Sequence, residues 1–278
     1  PLDAKILTPN GWKLMGEIKV GDYVMSQNGL PTSVEAVFPQ GKKEIYRVHF
    51  SDGSWTECCD EHLWLTHNYQ ERSYAQRADK LGKNWGCAKG KVRSLNEIRH
   101  TLTARLNAKN HSIPLVEPVQ FQPQVIAIDA YLMGALLGDG HIGQKAISFS
   151  TKDDEIIQYF RLPDDVILRR NNNNGRCPSW HFISPIWQNN PMLNVMRELG
   201  LAGKLSHEKF IPDCYKFNDV ATRLAVLQGL MDTDGWGEKQ GKTTKFTSIS
   251  KRLTDDVLFL VQSLGGVATL TQKYPTYT

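Results

Sequence analysis

Cysteine is scarce and unpatterned in this chain. The five cysteines, Cys58, Cys59, Cys87, Cys177 and Cys214, are odd in number and include no C-x-x-C pair. Neither a disulfide framework nor a Cys-rich zinc site is indicated, and a reduced, cytoplasmic setting fits. No apolar run approaches the ~18 residues that a membrane span needs, and no signal peptide is legible. Strong net charge is missing too: 33 Lys/Arg against 29 Asp/Glu leave +4. That excess alone implies no polyanion partner, but it is unevenly spread. Between Glu71 and Asn110 ten Lys/Arg meet three acids, a local +7 that leaves about −3 elsewhere. Such a block suits a polyanion; a solvated surface loop is the plainer alternative. At 278 residues there is room for one large domain or two ordinary ones.

What the chain does have is a repeated motif. Leu132-Met133-Gly134-Ala135-Leu136-Leu137-Gly138-Asp139-Gly140 returns as Leu227-Gln228-Gly229-Leu230-Met231-Asp232-Thr233-Asp234-Gly235, 95 residues on. Each copy is an apolar run with small residues four apart, Gly134/Gly138 and Gly229/Thr233, ending in Asp-Gly. Four-residue spacing puts the small pair on one helical face, where two backbones can approach closely. The first copy is apolar nearly all round, which predicts a buried helix. Each Asp then falls at a helix C-terminus, where the macrodipole disfavours it by ~0.3–1 kcal/mol. A rule broken twice at one place points to function. Helices packed side by side in one direction bring Asp139 and Asp234 together. With nearby backbone carbonyls, they form an oxygen-rich site for a hard divalent cation able to assist phosphodiester hydrolysis. The bland alternative is two core helices with glycine caps, since Asp-Gly is also a turn.

Both copies resemble the signature of LAGLIDADG homing endonucleases, in which the eighth residue of each motif is the metal-binding catalytic acid. The resemblance implies metal binding by Asp139 and Asp234, with backbone carbonyls from Gly138 and Thr233, and Mg²⁺ or Mn²⁺ as cofactor. It also implies an α+β saddle of two repeats, the motif helices forming its spine and twisted sheets lying on double-stranded DNA. Between the copies, Lys204-Leu205-Ser206-His207-Glu208-Lys209-Phe210-Ile211-Pro212 resembles intein block D. Its Lys209 would stand near the scissile phosphate and offset developing charge, or else is a surface lysine. Thr247-Ser248-Ile249-Ser250-Lys251-Arg252-Leu253-Thr254-Asp255-Asp256-Val257 resembles block H.

The first seventy residues read as short strands broken by Pro9-Asn10-Gly11, Gly21-Asp22, Asn28-Gly29-Leu30-Pro31 and Asp52-Gly53, a spacing typical of all-β folds. Val34–Phe38 and Ile45–Phe50 are β-rich segments. The stretch Cys59-Asp60-Glu61-His62 after a strand, and the opening Ile6-Leu7-Thr8-Pro9-Asn10-Gly11 followed by Val20-Gly21-Asp22-Tyr23-Val24, resemble the N-terminal blocks of inteins. Those self-splicing elements have the Hint fold, shared with hedgehog domains. By this resemblance His62 protonates or strains the N-terminal scissile peptide bond, and Cys59 stands where the family has Thr or Ser. A Cys or Ser nucleophile would fall about two positions before Pro1, and a closing His-Asn pair is absent at Tyr277-Thr278. As written, the polypeptide is expected not to splice alone; exteins and a separate C-terminal fragment are the expected partners.

The expected fold is therefore mixed: an all-β Hint part over 1–70, a basic DNA-recognition insert and Pro-spaced linker over 71–125, and an α+β two-repeat endonuclease over 126–278. Leu95–Leu106 is a weak helix with Ser94 as N-cap. In the insert Trp85, Arg93, Arg99, Arg105 and Lys109 are candidate phosphate contacts. Lys145–Ser150, Ser179–Ser184, Thr243–Ser250 and Val267–Gln272 read as strands, Asp153–Phe160 and Thr254–Leu264 as helices, and Asn171–Gly175 as a loop. Asn218 is the expected N-cap of the second motif helix. Charge and position nominate Lys145, Lys152, Arg169, Arg170, Lys239, Lys242 and Lys245 as further DNA contacts. The combined expectation is an intein carrying a DNA endonuclease, specific for the intein-less allele. Its competitor is a splicing-only intein whose endonuclease merely binds DNA. DNA-binding regulators and RNA maturases share the second half but lack the first.

Overall fold

Turn residues cut the N-terminal part into hairpins. The computed structural model describes residues 1–82, 90–171, 177–185, 190–238 and 243–274. Strands β1 (Lys5–Thr8) and β2 (Gly11–Leu14), β3 (Tyr23–Met25) and β4 (Pro31–Ser33), and β5 (Tyr46–His49) and β6 (Trp55–Cys58) form three antiparallel pairs. The β5–β6 hairpin closes at Asp52-Gly53, with Gly53 at φ +87°, a backbone that favours glycine. Strand β7 (Leu63–Thr66) is followed by helix α1 (Tyr69–Lys80) and pairs with β8 (Lys91–Ser94). This antiparallel pair, with α1 in its connection, spans the boundary expected at residue 70. Helix α2 (Leu95–His100) starts as expected: Ser94 Oγ accepts the Glu97 N–H, and Glu97 accepts the Ser94 N–H, a capping box. It stops at His100 rather than Leu106: the Leu102 carbonyl accepts the Asn110 N–H and Ala104 donates to Ala108, in a tight loop turned by left-handed Leu106 and Asn107. Val34–Phe38 is not a strand: Val34 extends the β3–β4 pairing by two bonds to Asp22 and Gly21, and the ladder ends there.

The C-terminal part is built on α3 (Ala130–Gly138), β9 (Gly140–Ile142), β10 (Ile147–Ser150), α4 (Asp154–Gln158), β11 (Ile167–Asn171) and β12 (Ser179–Ile183), then α5 (Pro191–Glu198), α6 (Asp213–Lys216), α7 (Val220–Asp234), β13 (Gly235–Gly237), β14 (Thr244–Phe246) and α8 (Lys251–Ser263). Four strands form an antiparallel sheet in the order β11-β12-β10-β9. Ile147 and Phe149 turn inward while Ser148 and Ser150 alternate outward, as strand periodicity requires. The inner face joins α3, α5, α7 and α8 in one core around Leu132, Met133, Leu136, Phe149, Met196, Leu230 and Leu260, each fully buried. At ~25 cal/mol per Å² such side chains contribute ~1.5–3 kcal/mol apiece.

The second half repeats the helix but not the sheet. Among the described residues β13 pairs only with β14, and Val267–Gln272 forms no strand. The N-cap of α7 is Asp219, whose Oδ1 accepts the Thr222 N–H at 2.7 Å. Asn218, the expected cap, is fully buried and bridges Gln124 and Cys214 instead. Helix α8 begins three residues earlier than expected because Ser250 caps it through the Leu253 N–H.

Residues 116–124 strap the two parts together. Glu117 and Gln120 bond through their N–H groups to Gln27 and Gly29, and Val119 to Ser263 at the end of α8. Beneath lies Arg223, fully buried without a carboxylate partner in hydrogen-bond contact. Its guanidinium donates to the carbonyls of Asn218, Ser263 and Val119 and to Ser263 Oγ, with Phe121 under its plane at 5.1 Å. Burial lowers its pKa to about 10. Trp12 meets Phe259 edge-on at 5.7 Å, which fastens the first hairpin to α8.

Candidate active site at the ends of the paired helices

Small residues decide how closely α3 and α7 approach. A Cβ on Gly134 would run into the Val226 carbonyl oxygen, and one on Gly229 into the Tyr131 carbonyl oxygen. Val226 and Tyr131 are themselves 95 residues apart, so the two clashes are images of each other. The helices run in the same direction, and their C-termini meet where Gly138 lies against Thr233. Six of the nine α3 residues after Asp129, Leu132 to Leu137, are buried in succession, as the all-round apolar sequence predicts.

Asp139 caps α3, and Asp234 is the last residue of α7. The two are brought together: an atom at the Gly138 Cβ position would sit 3.5 Å from Asp234 Oδ2. Asp139 opens to solvent, whereas Asp234 is partly covered. Burial raises both carboxyl pKa values; at Asp234 the charge of Asp139 adds to it, and Lys209 opposes it at both. Asp139 is the more open of the two, so solvent screens its charge more than that of Asp234. Repulsion within the pair belongs to both groups.

Lys209 is not a surface lysine. Its Nζ is buried and lies within 2.8–3.2 Å of the carbonyl oxygens of Gly140, Gly138, Leu137 and Leu136. It thus meets the carbonyl end of α3, where a cation is favoured. Burial lowers its pKa against the opposing pull of Asp234 and Asp139. Helix α8 holds the segment: Ser250 Oγ donates to the Lys209 carbonyl, Asp256 accepts the Ile211 N–H, and Arg252 covers Phe210 at 3.7 Å. An ammonium so engaged faces helix carbonyls rather than open solvent.

The donor set fits a hard cation at the carboxylates: two anionic oxygen groups, at least one desolvated, converge where no other acidic or imidazole ligand joins them among the described residues. Gly138 fits less well than expected, because its carbonyl already faces the Lys209 ammonium at 2.9 Å and a second cation there is repelled. Thr233 turns its hydroxyl back onto Gly229 and Leu230; only its main-chain carbonyl is a ligand candidate.

The basic candidates divide. Arg93 is consumed within the fold: it bonds Thr66 and forms an ion pair with Glu71 at 2.7 Å. Arg99 stacks on Tyr46 at 3.9 Å. Arg170 shares the core-side register with Trp180 and pairs with Asp154 at 3.4 Å. Lys245 pairs with Glu238 and covers Trp236. Arg105, Lys109, Lys145, Lys152 and Arg169 are exposed. Trp85, Cys87, Lys239, Lys242 and most of the Asn171–Gly175 loop lie outside the described residues. Sequence reasoning missed a polar row across the outer sheet face, where register aligns Arg169, His181, Ser148 and His141. Strand alternation around Ser148 was the signal. The row ends two residues from Asp139.

At the other end of the chain, His62 follows the β6 strand. Its N–H donates to the Cys59 carbonyl at 3.2 Å, closing the turn, and its ring meets Trp64 at 5.1 Å. His62 is largely exposed, and the partial burial of its ring lowers its pKa. Cys59 is a partly covered free thiol.

Comparison with known proteins bears on both parts. Residues 221–278 match the model of the LAGLIDADG-like domain. The chain is 29% identical over 269 residues to the replicative DNA helicase DnaB of Mycobacterium intracellulare, covering 95% of this chain and 42% of that protein. It is 36% identical over 76 residues to DnaB of Mycobacterium leprae (strain TN), covering 27% and 12%. The chain thus spans less than half the length of these curated relatives. A crystal structure of the Msm DnaB1 intein splicing domain bound with zinc shares 27% identity over 40% of this chain and 71% of that one, with a TM-score of 0.26. No helix among the described residues is long and apolar enough to cross a membrane.

Proposed function

We propose that this chain, an intein carrying a LAGLIDADG-like domain, is a site-specific DNA endonuclease that hydrolyses phosphodiester bonds in both strands at the intein-less allele of its host gene. The convergence of Asp139 and Asp234 at the shared end of α3 and α7 carries the reading. These carboxylates would hold Mg²⁺ or Mn²⁺, with the Thr233 carbonyl beside them. When bound, the ion supplies Lewis acidity and an activated water. The chain itself fixes the carboxylates on a rigid helix pair, and Lys209 offsets negative charge beneath them. The outer row from Arg169 to His141, with Lys145 and Lys152, faces the duplex; phosphate contacts set register and side chains at base edges set sequence.

The N-terminal part belongs to the splicing reaction. His62 would act on the peptide bond preceding the intein, and Cys59, whose carbonyl accepts the His62 main-chain N–H, supports that turn. The exteins are the flanking parts of a DnaB-type host. A second reading, a splicing intein whose endonuclease only binds DNA, is favoured by one observation: among the described residues the second repeat keeps just the β13–β14 hairpin.

The deciding experiment incubates the chain with Mg²⁺ and a duplex spanning the uninterrupted host site. Double-strand cleavage that stops on chelation, with binding retained, is the expected result. Binding with no cleavage in Mg²⁺ or Mn²⁺ establishes the second reading. In the same assay Lys145→Ala is expected to reduce the slope of log affinity against log salt by about 0.9, as one lost phosphate contact does. Arg93→Met is expected to leave that slope alone and to lower folding stability by ~1–3 kcal/mol, since it strands Glu71 and the Thr66 carbonyl. A changed slope for Arg93→Met would return that side chain to the DNA interface.

A further inference from the structure

The two carboxylates obey the 95-residue repeat, but the devices that hold them do not. The last turn of α3 is held by an ammonium, Lys209, on four carbonyls. The corresponding carbonyls of α7 receive no ammonium or guanidinium from the described residues; Met231 accepts the Gly235 N–H, and Asp234 the Thr247 N–H. A different tie reaches this turn. Tyr131, in the first turn of α3, donates its hydroxyl to Asp232 Oδ2 at 2.7 Å. Its ring is wedged against Tyr159 at 5.8 Å and Phe160 at 6.3 Å, so the hydroxyl is aimed before the bond forms. The repeat supplies no counterpart. The positions 95 residues from Tyr131 and Asp232 are Val226 and Leu137, both apolar and buried.

Asp232 stands two residues before Asp234, so its side chain leaves the helix on nearly the opposite face. The clasp therefore grips the last turn of α7 from outside the site. Helix ends fray, and rotation of this turn would carry Asp234 off its partner. On the nuclease reading, a pseudo-symmetric pair of helix ends facing a duplex would bring one carboxylate to each strand.

We propose that Tyr131, acting through Asp232, is the positioning residue for Asp234, while Lys209 positions Asp139, so that cleavage of the two DNA strands can be uncoupled. The strand-specific part rests on the nuclease reading; the clasp itself does not.

The test uses the full chain and a duplex labelled on both strands. Tyr131→Phe keeps the packed ring and removes only the donor. It is expected to slow one strand about tenfold, in the range that small misplacements produce, so that nicked duplex accumulates. Asp232→Ala should slow the same strand, and the double variant should be no slower than the worse single, because the two act as one unit. Lys209→Met should slow both strands, because its ammonium faces Asp234 as well as Asp139. A readout free of metal and DNA accompanies this: amide hydrogen exchange at residues 233–235 should quicken about tenfold in Tyr131→Phe, with residues 139–140 unchanged. Equal slowing of both strands by Tyr131→Phe, additive effects of Tyr131→Phe and Asp232→Ala, or exchange that quickens at both helix ends overturns the proposal. Should the wild-type chain not cut at all, the nuclease reading fails and the exchange pattern still decides the clasp.

Discussion

Asp139→Asn and Asp234→Asn are each expected to reduce cleavage by at least ~10²-fold, the order lost when one preorganised electrostatic group is removed, while DNA binding remains. Asparagine keeps the size but removes the charge that a hard cation requires. The same variants are expected to be slightly more stable than the wild type. Both carboxyls sit at the carbonyl ends of helices, a placement that costs ~0.3–1 kcal/mol per charge before solvent screening, and Asp139 is open enough to keep its share small. Both folded pKa values lie above the ordinary carboxylate value. A raised acid contributes stability that is present below its unfolded pKa, near ~4, and lost as pH rises through the folded pKa. In metal-free buffer the wild type should therefore lose stability relative to the double Asn variant as pH climbs from about 4 towards neutrality. Melting both proteins against pH in chelator measures this. A double variant less stable than wild type at pH 7 would falsify the claim that these acids are strained in the fold.

Much of the site was legible because it depends on local spacing. Asp139 and Asp234 follow from two copies of one motif, and their convergence follows from small residues four apart. The N-terminal hairpins were legible from turn residues, down to the Ser94 capping box. What failed depended on partners distant in sequence. Arg93 reads as a free cation until β8 pairs with β7 and lays it beside Glu71. Lys209 is nominated by its block, but its burial on the carbonyls ending α3 is not legible until α8 presses its segment under that helix. Asn218 reads as a cap, but a fully buried amide gains more by closing the contact to Gln124, which leaves the cap to Asp219. Val34–Phe38 and Val267–Gln272 have strand composition, yet among the described residues pairing ends at Val34 in the first and forms no strand in the second; β-propensity expresses a fit to neighbours rather than a backbone preference.

Gly229→Val is expected to unfold the C-terminal part. The added Cβ would overlap the Tyr131 carbonyl oxygen and lie 2.7 Å from the Ala135 nitrogen. Both are backbone atoms of α3 and cannot swing aside, so relief requires the helices to separate. Separation opens the seam around Leu132, Leu136, Val226 and Leu230, all fully buried. Overpacking alone costs ~1–3 kcal/mol. The cavity opened along the seam adds to it, so that losses beyond ~4 kcal/mol follow, comparable with the ~5–15 kcal/mol that a domain has in total. Pseudo-symmetry makes the prediction sharper: Gly134→Val meets the Val226 carbonyl in the same way and should cost the same. Gly138→Ala should cost less: it meets the Thr233 hydroxyl, which can turn, and the Thr233 Cβ at 2.8 Å, which needs a small shift at the helix end rather than separation of two backbones. Gly237→Ala, with nothing within 4 Å of the new Cβ, should change little. Urea unfolding of the four variants decides the matter. Equal midpoints for Gly229→Val and Gly237→Ala would mean that the helix backbones do not meet. The carboxylates would then have no shared end at which to converge.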